Sequence, residues 1–304
     1  MAFSETYRRQ VALLIRTIPL VAEEKSFALK GGTAINLFIR NMPRLSVDID
    51  LTFLPLQPRP ESLAAITAAM NRIKGRVTKS VRGAQVTEGT QEGAINKLFV
   101  RAEGAQIKIE VTPVLRGCVY DPETRSVSEA VERAFGFAEI QVVSFSDLYA
   151  GKIVAALDRQ HPRDFFDTRD LLCNEGINDD LRRAFIVYML SHDRPMSEVL
   201  APTRKDISEE FSRGFAGMTD TPVALSDLEA ARESLISDIV GKMPQDHRRF
   251  LASFERGKPD WKLLNISHAP DLPAVRWRQQ NLDKLSQEKR NALVSNLEKV
   301  LGLN

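Results

Sequence analysis

Two cysteines among 304 residues, Cys118 and Cys173, leave no material for a disulfide framework and have no metal-ligand spacing. They read as reduced core thiols of a cytoplasmic protein. Histidine is as sparse: His161, His192, His247 and His268 form no H-x-x-x-H pair, so no zinc site is expected. No stretch approaches the roughly 18 consecutive apolar residues of a membrane span. The apolar run within MAFSETYRRQVALLIRTIPL is too short and too interrupted for a signal peptide. Neither sign of charge dominates: 42 Lys+Arg against 40 Asp+Glu give +2, so attraction to nucleic acid has to come from local patches. Also missing are a Walker A loop, a G-x-G-x-x-G turn and a G-x-S-x-G elbow, which removes three common enzyme plans.

What is present is ordinary globular material, 43% hydrophobic and 27% charged, enough for one large or two modest domains. Residues 6–24 have helical spacing, with a break expected near Pro19. A short strand over 26–30 runs into Gly31-Gly32, then a helix over 33–42 is stopped by Pro43. Residues 47–53 alternate with period two, as do 94–102 and 106–114, which a glycine-containing turn joins as an antiparallel hairpin. Residues 61–73 read as a helix. From about residue 144 the pattern turns helical (146–157, 162–173, 182–190, 205–214, 226–241, 245–256, 283–301). The expectation is an α+β domain over 1–143 followed by a mostly helical domain over 144–304, with the active site in the cleft between them.

Chemistry gathers in KGGTAINLFIRNMPRLSVDIDL, residues 30–51. Asp48 and Asp50 leave the same face of a strand, their backbones about 7 Å apart. Two such carboxylates mark either a solvated polar face or a site for a divalent cation such as Mg2+, which takes hard oxygen ligands and bridges carboxylates to phosphates. Gly31 and Gly32 lie between a strand and a helix, where bare backbone can approach an anion and Thr33 adds a hydroxyl. A phosphate turn, a helix and a D-x-D strand together point to nucleotidyl transfer. That plan calls for a third acid on a neighbouring strand, and Glu110 in IKIEV is the candidate, against simple surface alternation.

A second constellation lies in SFSDLYAGKIVAALDRQHPRDFFDTRDLL, residues 144–172. Lys152 shares a helical face with small alanines and can be partly buried. Asp164, Asp167, Thr168 and Leu171 share a face of the following helix. The lysine and an aspartate can meet across this hairpin, and a lysine on phosphate oxygens offsets charge on a leaving pyrophosphate.

Together the words KGGTAINLF, RLSVDIDL, KIEV and DLYAGKIVAALDRQHPRDFFDTRDLL resemble the AbiEii/AbiGii-type toxins, including the MenT toxins, of the polymerase-β-like nucleotidyltransferase superfamily. The similarity runs from about residue 25 to 240. G-G and D-x-D are shared across the superfamily. The K-x-x-A-L-x-x-R-x-x-x-R-D-x-x-D pattern is more specific, and here it falls on Lys152, Ala156 (with Ala155 beside it), Leu157, Asp158, Arg163, Asp164 and Asp167. Arg159 sits one place off the commonest spacing.

The resemblance implies a polymerase-β-like core, a mixed sheet flanked by helices, ahead of the helical domain. It implies Mg2+ at Asp48 and Asp50, with Mn2+ as the alternative metal and Glu110 as a less direct transfer. Ser46 lines the pocket, Lys152 contacts the nucleotide phosphates and Asp167 completes the site. The implied activity moves nucleotides, CTP or another pyrimidine favoured, from an NTP to the 3′ acceptor end of tRNA, releasing pyrophosphate and blocking translation. The implied partner is an AbiEi-like antitoxin, in a system that often serves phage defence. Rivals are a nucleotidyltransferase acting on a protein or an antibiotic, and a non-catalytic NTP-binding module.

Three features stay open. NRIKGRVTKSVR, residues 71–82, is either a tRNA-backbone contact or a solvated basic loop. Trp261 and Trp277 lie in a basic C-terminal stretch and are expected to be buried rather than to dock RNA. Arg40 and Arg44 precede the D-x-D strand and reach either the triphosphate or a surface acid.

Overall fold

The computed structural model describes residues 4–303; Met1–Phe3, where the N-terminal apolar segment begins, and Asn304 lie outside the description. The chain divides into two compact units. The first contains residues up to Ser144 together with Gly217–Pro222; the second contains Phe145–Ala216 and Val223 onward.

In the first unit seven strands among the described residues form one mixed sheet in the order β3-β4-β5-β2-β1-β7-β6. They are β1 (Phe27–Lys30), β2 (Asp48–Phe53), β3 (Gln85–Gln91), β4 (Ala94–Ala102), β5 (Ala105–Arg116), β6 (Glu123–Ser126) and β7 (Glu139–Val142). β2 lies inside the sheet, antiparallel to β1 and parallel to β5, while β1 is parallel to β7. The hairpin expected from alternation is β4–β5, closed by Glu103 (φ 50°) and Gly104 (φ 75°), the left-handed pair of a type I′ turn. Register places Phe27, Leu29, Ile49, Leu51, Phe53, Leu98, Ile107, Ile109 and Val111 on one buried face. The helices α1 (Glu5–Ala22) and α3 (Arg59–Ser80) pack against this sheet. A shorter helix, α2, is α over Gly31–Thr33 and π over Ala34–Ile39; α4 is Glu129–Phe135.

Three expectations for this unit need correction. α1 runs through Pro19 to Ala22, because Ile18 and Val21 are fully buried and offset the one lost backbone hydrogen bond. The stretch Asn71–Ser80 is no loop: it forms the last turns of α3, whose Ile73 and Val77 face the core. Three of its basic side chains are also engaged. Arg72 and Arg76 both bind Glu24, at 2.7 Å each, and Lys74 binds Glu88 at 2.7 Å. The free thiols are not core residues, for Cys118 is half-buried and Cys173, in the second unit, is exposed.

The Glu24 cluster supports a pH-dependence. Hydrogen bonding from Arg72, then from Arg76, holds the Glu24 carboxyl below its ordinary value. A carboxylate with a lowered folded pKa contributes stability above the ordinary value of 4.5, and that contribution is lost as pH falls toward the folded one. Glu24→Gln is therefore expected to lose about 1–3 kcal/mol at pH 7. Thermal melts followed by circular dichroism should show the gap from the parent protein narrowing below pH 4.5. A gap that persists unchanged at pH 3 would refute the electrostatic origin.

The second unit is helical: α5 (Phe145–Arg159), α6 (Pro162–Asn174), α7 (Asp179–Leu190), α8 (Met196–Leu200), α9 (Ser208–Gly214), α10 (Leu225–Ile236, continued as a π turn to Gly241), α11 (Gln245–Glu255), α12 (Pro273–Asp283) and α13 (Gln287–Leu301). α5 packs on α6 and α7, and α10 packs on α6. Gly151 permits the close approach of α7, since a Cβ there would lie 3.2 Å from the Tyr188 ring. Trp261 is half-buried against Phe250 and Phe254, with ring centroids 5.0 and 6.1 Å away. Trp277 departs from the expectation: it is 58% exposed on α12, with the Lys284 ammonium 5.7 Å from its ring centroid. No helix among the described residues is long and apolar enough to cross a membrane.

Candidate active site

β2 has an apolar face and a polar one, and the polar face carries Asp48, Asp50 and Thr52. The parallel ladder sets Asp48 opposite Lys108 and Asp50 opposite Glu110 on β5. On the other side, the antiparallel ladder sets Asp50 opposite Lys30 of β1. The sheet thus brings all three predicted acids to one face. Lys30, Lys97 and Lys108 come with them, and the sequence reading gave these lysines no role.

The Gly-Gly turn abuts this face. Gly31 has φ +77°, a left-handed conformation that favours glycine, and a Cβ built on it would stand 2.7 Å from Asp50 Oδ2. A Cβ on Gly32 would stand 2.9 Å from Arg44 Nη2 and 3.0 Å from Ser46 Oγ. Thr33 donates its hydroxyl to the Asp48 carbonyl and lies 3.0 Å from Ser46 Oγ, tying the start of α2 to the start of β2. Ser46 sits two residues ahead of the strand rather than within it. Arg44 is buried and donates to its neighbour's carbonyl, Leu45 O, at 3.0 Å. Arg40 is half-buried, and its backbone amide closes the π segment on Ile35 O at 2.8 Å.

Electrostatics separates the three acids. Burial, then the charge of Asp48, pushes Asp50 up, although Lys108 and Lys30 pull against the rise. Burial alone would also raise Glu110, but hydrogen bonds from Lys108 and Lys97 outweigh it and hold this carboxyl below its usual value. Burial lowers Lys30 despite the nearby charge of Asp50, and its ammonium reaches across β2 to Thr112 Oγ1 at 3.0 Å.

A divalent cation fits the Asp48–Asp50 pair. The donors are hard carboxylate oxygens, the missing Cβ of Gly31 leaves space beside Asp50 Oδ2, and a cation would offset the burial and the neighbouring Asp48 charge that together raise Asp50. Among the described residues no group of three or more His, Cys, Asp or Glu side chains converges as metal ligands. Asp48 and Asp50 are the residues that would hold such an ion.

In the second unit, α5 and α6 are joined by Gln160 and His161, and His161 Nδ1 caps α6 by accepting from the Arg163 amide at 3.1 Å. Lys152 of α5 meets both predicted acids of α6: its Nζ is 2.9 Å from Asp164 Oδ1 and 3.0 Å from Asp167 Oδ2. Arg159 adds a two-point contact to Asp164, at 2.5 and 2.8 Å. Lys152, Asp164 and Asp167 are 7%, 0% and 1% exposed, so the lysine is held well inside the unit. Burial would raise Asp164, but Lys152 and Arg159 prevail and hold it far below the usual carboxylate range. The role of Asp164 as the shared anchor of Lys152 and Arg159 was not read from sequence. Its i, i+3 spacing with Asp167 on one face was the available signal.

The structure is similar to that of MenT4, a nucleotidyltransferase toxin from Mycobacterium tuberculosis H37Rv. The likeness has a TM-score of 0.63 at 17% identity and covers 92% of this chain and 94% of that one, which is evidence for the fold. No curated protein matches the chain by sequence. The family model described as the nucleotidyl transferase AbiEii toxin of type IV toxin–antitoxin systems matches residues 12–281. Since that match spans most of the sequence and both constellations, the chain belongs to the AbiEii nucleotidyltransferase toxin family.

Proposed function

We propose that this protein transfers nucleotides, with CTP or another pyrimidine triphosphate favoured as donor, to the 3′ acceptor end of tRNA in the cytoplasm. Blocked aminoacylation then halts translation, and an AbiEi-like antitoxin is the neutralising partner. The observation that carries this reading is the pairing of Asp48 and Asp50 on one strand face against the Gly31–Gly32 turn. In the reaction an acceptor hydroxyl oxygen bonds to the α-phosphorus, the bond to pyrophosphate breaks, and the hydroxyl proton passes to solvent. Mg2+ or Mn2+ held by Asp48 and Asp50, when bound, would supply charge neutralisation at the phosphates and activation of the hydroxyl.

The chain's own residues prepare that step. Asp48, with 46% of its side chain exposed, meets the incoming groups, and Asp50 lies deeper beside Gly31. The bare backbone of Gly31 and Gly32 lets phosphate oxygens approach, and Thr33 fixes the turn to β2. The family resemblance implies that Lys152 contacts the nucleotide phosphates, where its charge would favour departure of pyrophosphate; within its own unit its Nζ lies 3.0 Å from Asp167 Oδ2. Support for tRNA as acceptor is the family resemblance alone.

Incubating the protein with Mg2+, total tRNA and each α-labelled NTP in turn tests this directly. Label is expected on tRNA from one pyrimidine nucleotide, with incorporation reduced about 100- to 1,000-fold by Asp48→Ala, as for loss of a main electrostatic group. Label on protein, or incorporation indifferent to Asp48→Ala, would overturn the acceptor or the site respectively.

A further inference from the structure

Across the middle of the sheet runs a row of four charges set by strand pairing: Lys97 opposite Glu110, Glu110 opposite Asp50, Asp50 opposite Lys30. One step along, Lys108 stands opposite Asp48. Each oxygen of Glu110 has its own lysine. Lys97 Nζ is 3.0 Å from Oε1 and Lys108 Nζ is 2.6 Å from Oε2. To bind a cation, Glu110 would have to give up a charge-assisted hydrogen bond and bring two ammonium groups against the metal. Lys108 is placed differently from Lys97. Its Nζ also lies 3.8 Å from Asp48 Oδ2 and 29% of its side chain is exposed, whereas Lys97 is on the far side of Glu110 from the aspartates.

We propose that Glu110 is a positioning residue that aims the Lys108 ammonium onto the aspartate face, where Lys108 contacts a phosphate of the nucleoside triphosphate. The metal is then carried by Asp48 and Asp50 without the third acid. This rests on the reading of that face as a nucleotide-transfer site. An ammonium has three N–H donors and no acceptor, so after Glu110 has fixed one, a phosphate oxygen can take another. The same fixed geometry removes the rotamer freedom that a solvent-exposed lysine would lose on binding.

Two equilibrium measurements on the full-length protein test this apart from turnover. Mn2+ binding is followed by electron paramagnetic resonance, and binding of the four α,β-methylene nucleoside triphosphates by calorimetry. Asp48→Asn is expected to weaken Mn2+ by more than about tenfold, and Glu110→Gln by less than about threefold. Lys108→Met should weaken the preferred analogue about tenfold, the scale of one charged contact, and Lys97→Met less than about threefold. Glu110→Gln combined with Lys108→Met should bind the analogue no more weakly than Lys108→Met alone, because the two act as a unit. A loss of Mn2+ affinity in Glu110→Gln equal to that in Asp48→Asn would overturn the proposal. So would parental analogue binding by Lys108→Met. If Asp48→Asn binds both ligands like the parent protein, the site reading itself falls, and this proposal with it.

Discussion

Replacing Lys152 with alanine is expected to lower the unfolding temperature of the second unit by roughly 6–20 °C and to abolish nucleotide transfer. The size follows from burial. The Lys152 ammonium stands between two carboxylates that are 0% and 1% exposed, at 2.9 and 3.0 Å. Removing one partner from a buried ion pair costs about 3–5 kcal/mol, since the remaining charge keeps its desolvation penalty without the compensating attraction. At about 2–4 °C per kcal/mol for units of this size, that gives the stated range. Such a loss would confound any claim about chemistry, so a second variant separates the two. Lys152→Met combined with Asp167→Asn removes one charge of each sign and leaves Asp164 with its two-point contact to Arg159. This pair is expected to melt within a few degrees of the parent protein yet remain inactive in the labelled-NTP assay. Full activity in the double variant would show that Lys152 serves the fold alone.

Gly31→Ala should be nearly as damaging to activity, for a different reason. Residue 31 has φ +77°, which costs an L-residue about 1–2 kcal/mol. Its new Cβ would also sit 2.7 Å from Asp50 Oδ2, closer than such atoms approach, so the carboxylate has to move. Displacement of a reacting group by about 1 Å can cost about 100-fold in rate. A loss of at least that size is expected, with a drop of only a few degrees in Tm. Gly32→Ala is the comparison. Its Cβ meets the tips of Arg44 and Ser46, at 2.9 and 3.0 Å, and side-chain tips can yield. A loss below about tenfold is expected there. If both substitutions cost the same, the geometry at Asp50 is not what the first glycine protects.

Strong periodicity explains what could be read from the sequence. VDIDLTF alternates because β2 has one core face and one polar face, and the β4–β5 hairpin alternates for the same reason. β3 (QVTEGTQ) and β6 (ETRS) lie at the two edges of the sheet and have no buried residue, so no apolar pattern announces them. α3 extends past the 61–73 pattern, where Gly75 and the basic residues after it conceal a single inward stripe of Ile73 and Val77. The acids of the candidate site were legible one by one, from their places on alternating strands. Their partners were not. That Lys97 and Lys108 take both oxygens of Glu110 depends on the register of β4 with β5, which no local pattern fixes. The K-x-E spacing of Lys108 and Glu110 on one strand face was the signal available beforehand.

Gly217–Pro222 belongs to the first unit although it is encoded after all of α5 to α9. There the Leu45 amide donates to Met218 O, the Asp220 amide to Pro43 O, and Arg44 pairs with Thr219 as an isolated bridge. Arg44 is the side chain whose Nη2 stands against Gly32. On the ribosome, the strands and acids of the polar face have all emerged by Ser144, yet the segment that pairs with Pro43–Leu45 has not been made. At roughly 5–20 residues per second the delay is several seconds. During it the Gly-Gly turn lacks the backbone pairing that holds its neighbouring arginine, so the nascent chain carries the acids of the site before the turn is braced. A fragment ending at Ser144 would stay in that condition, and the first unit is complete only as a discontinuous piece of the chain.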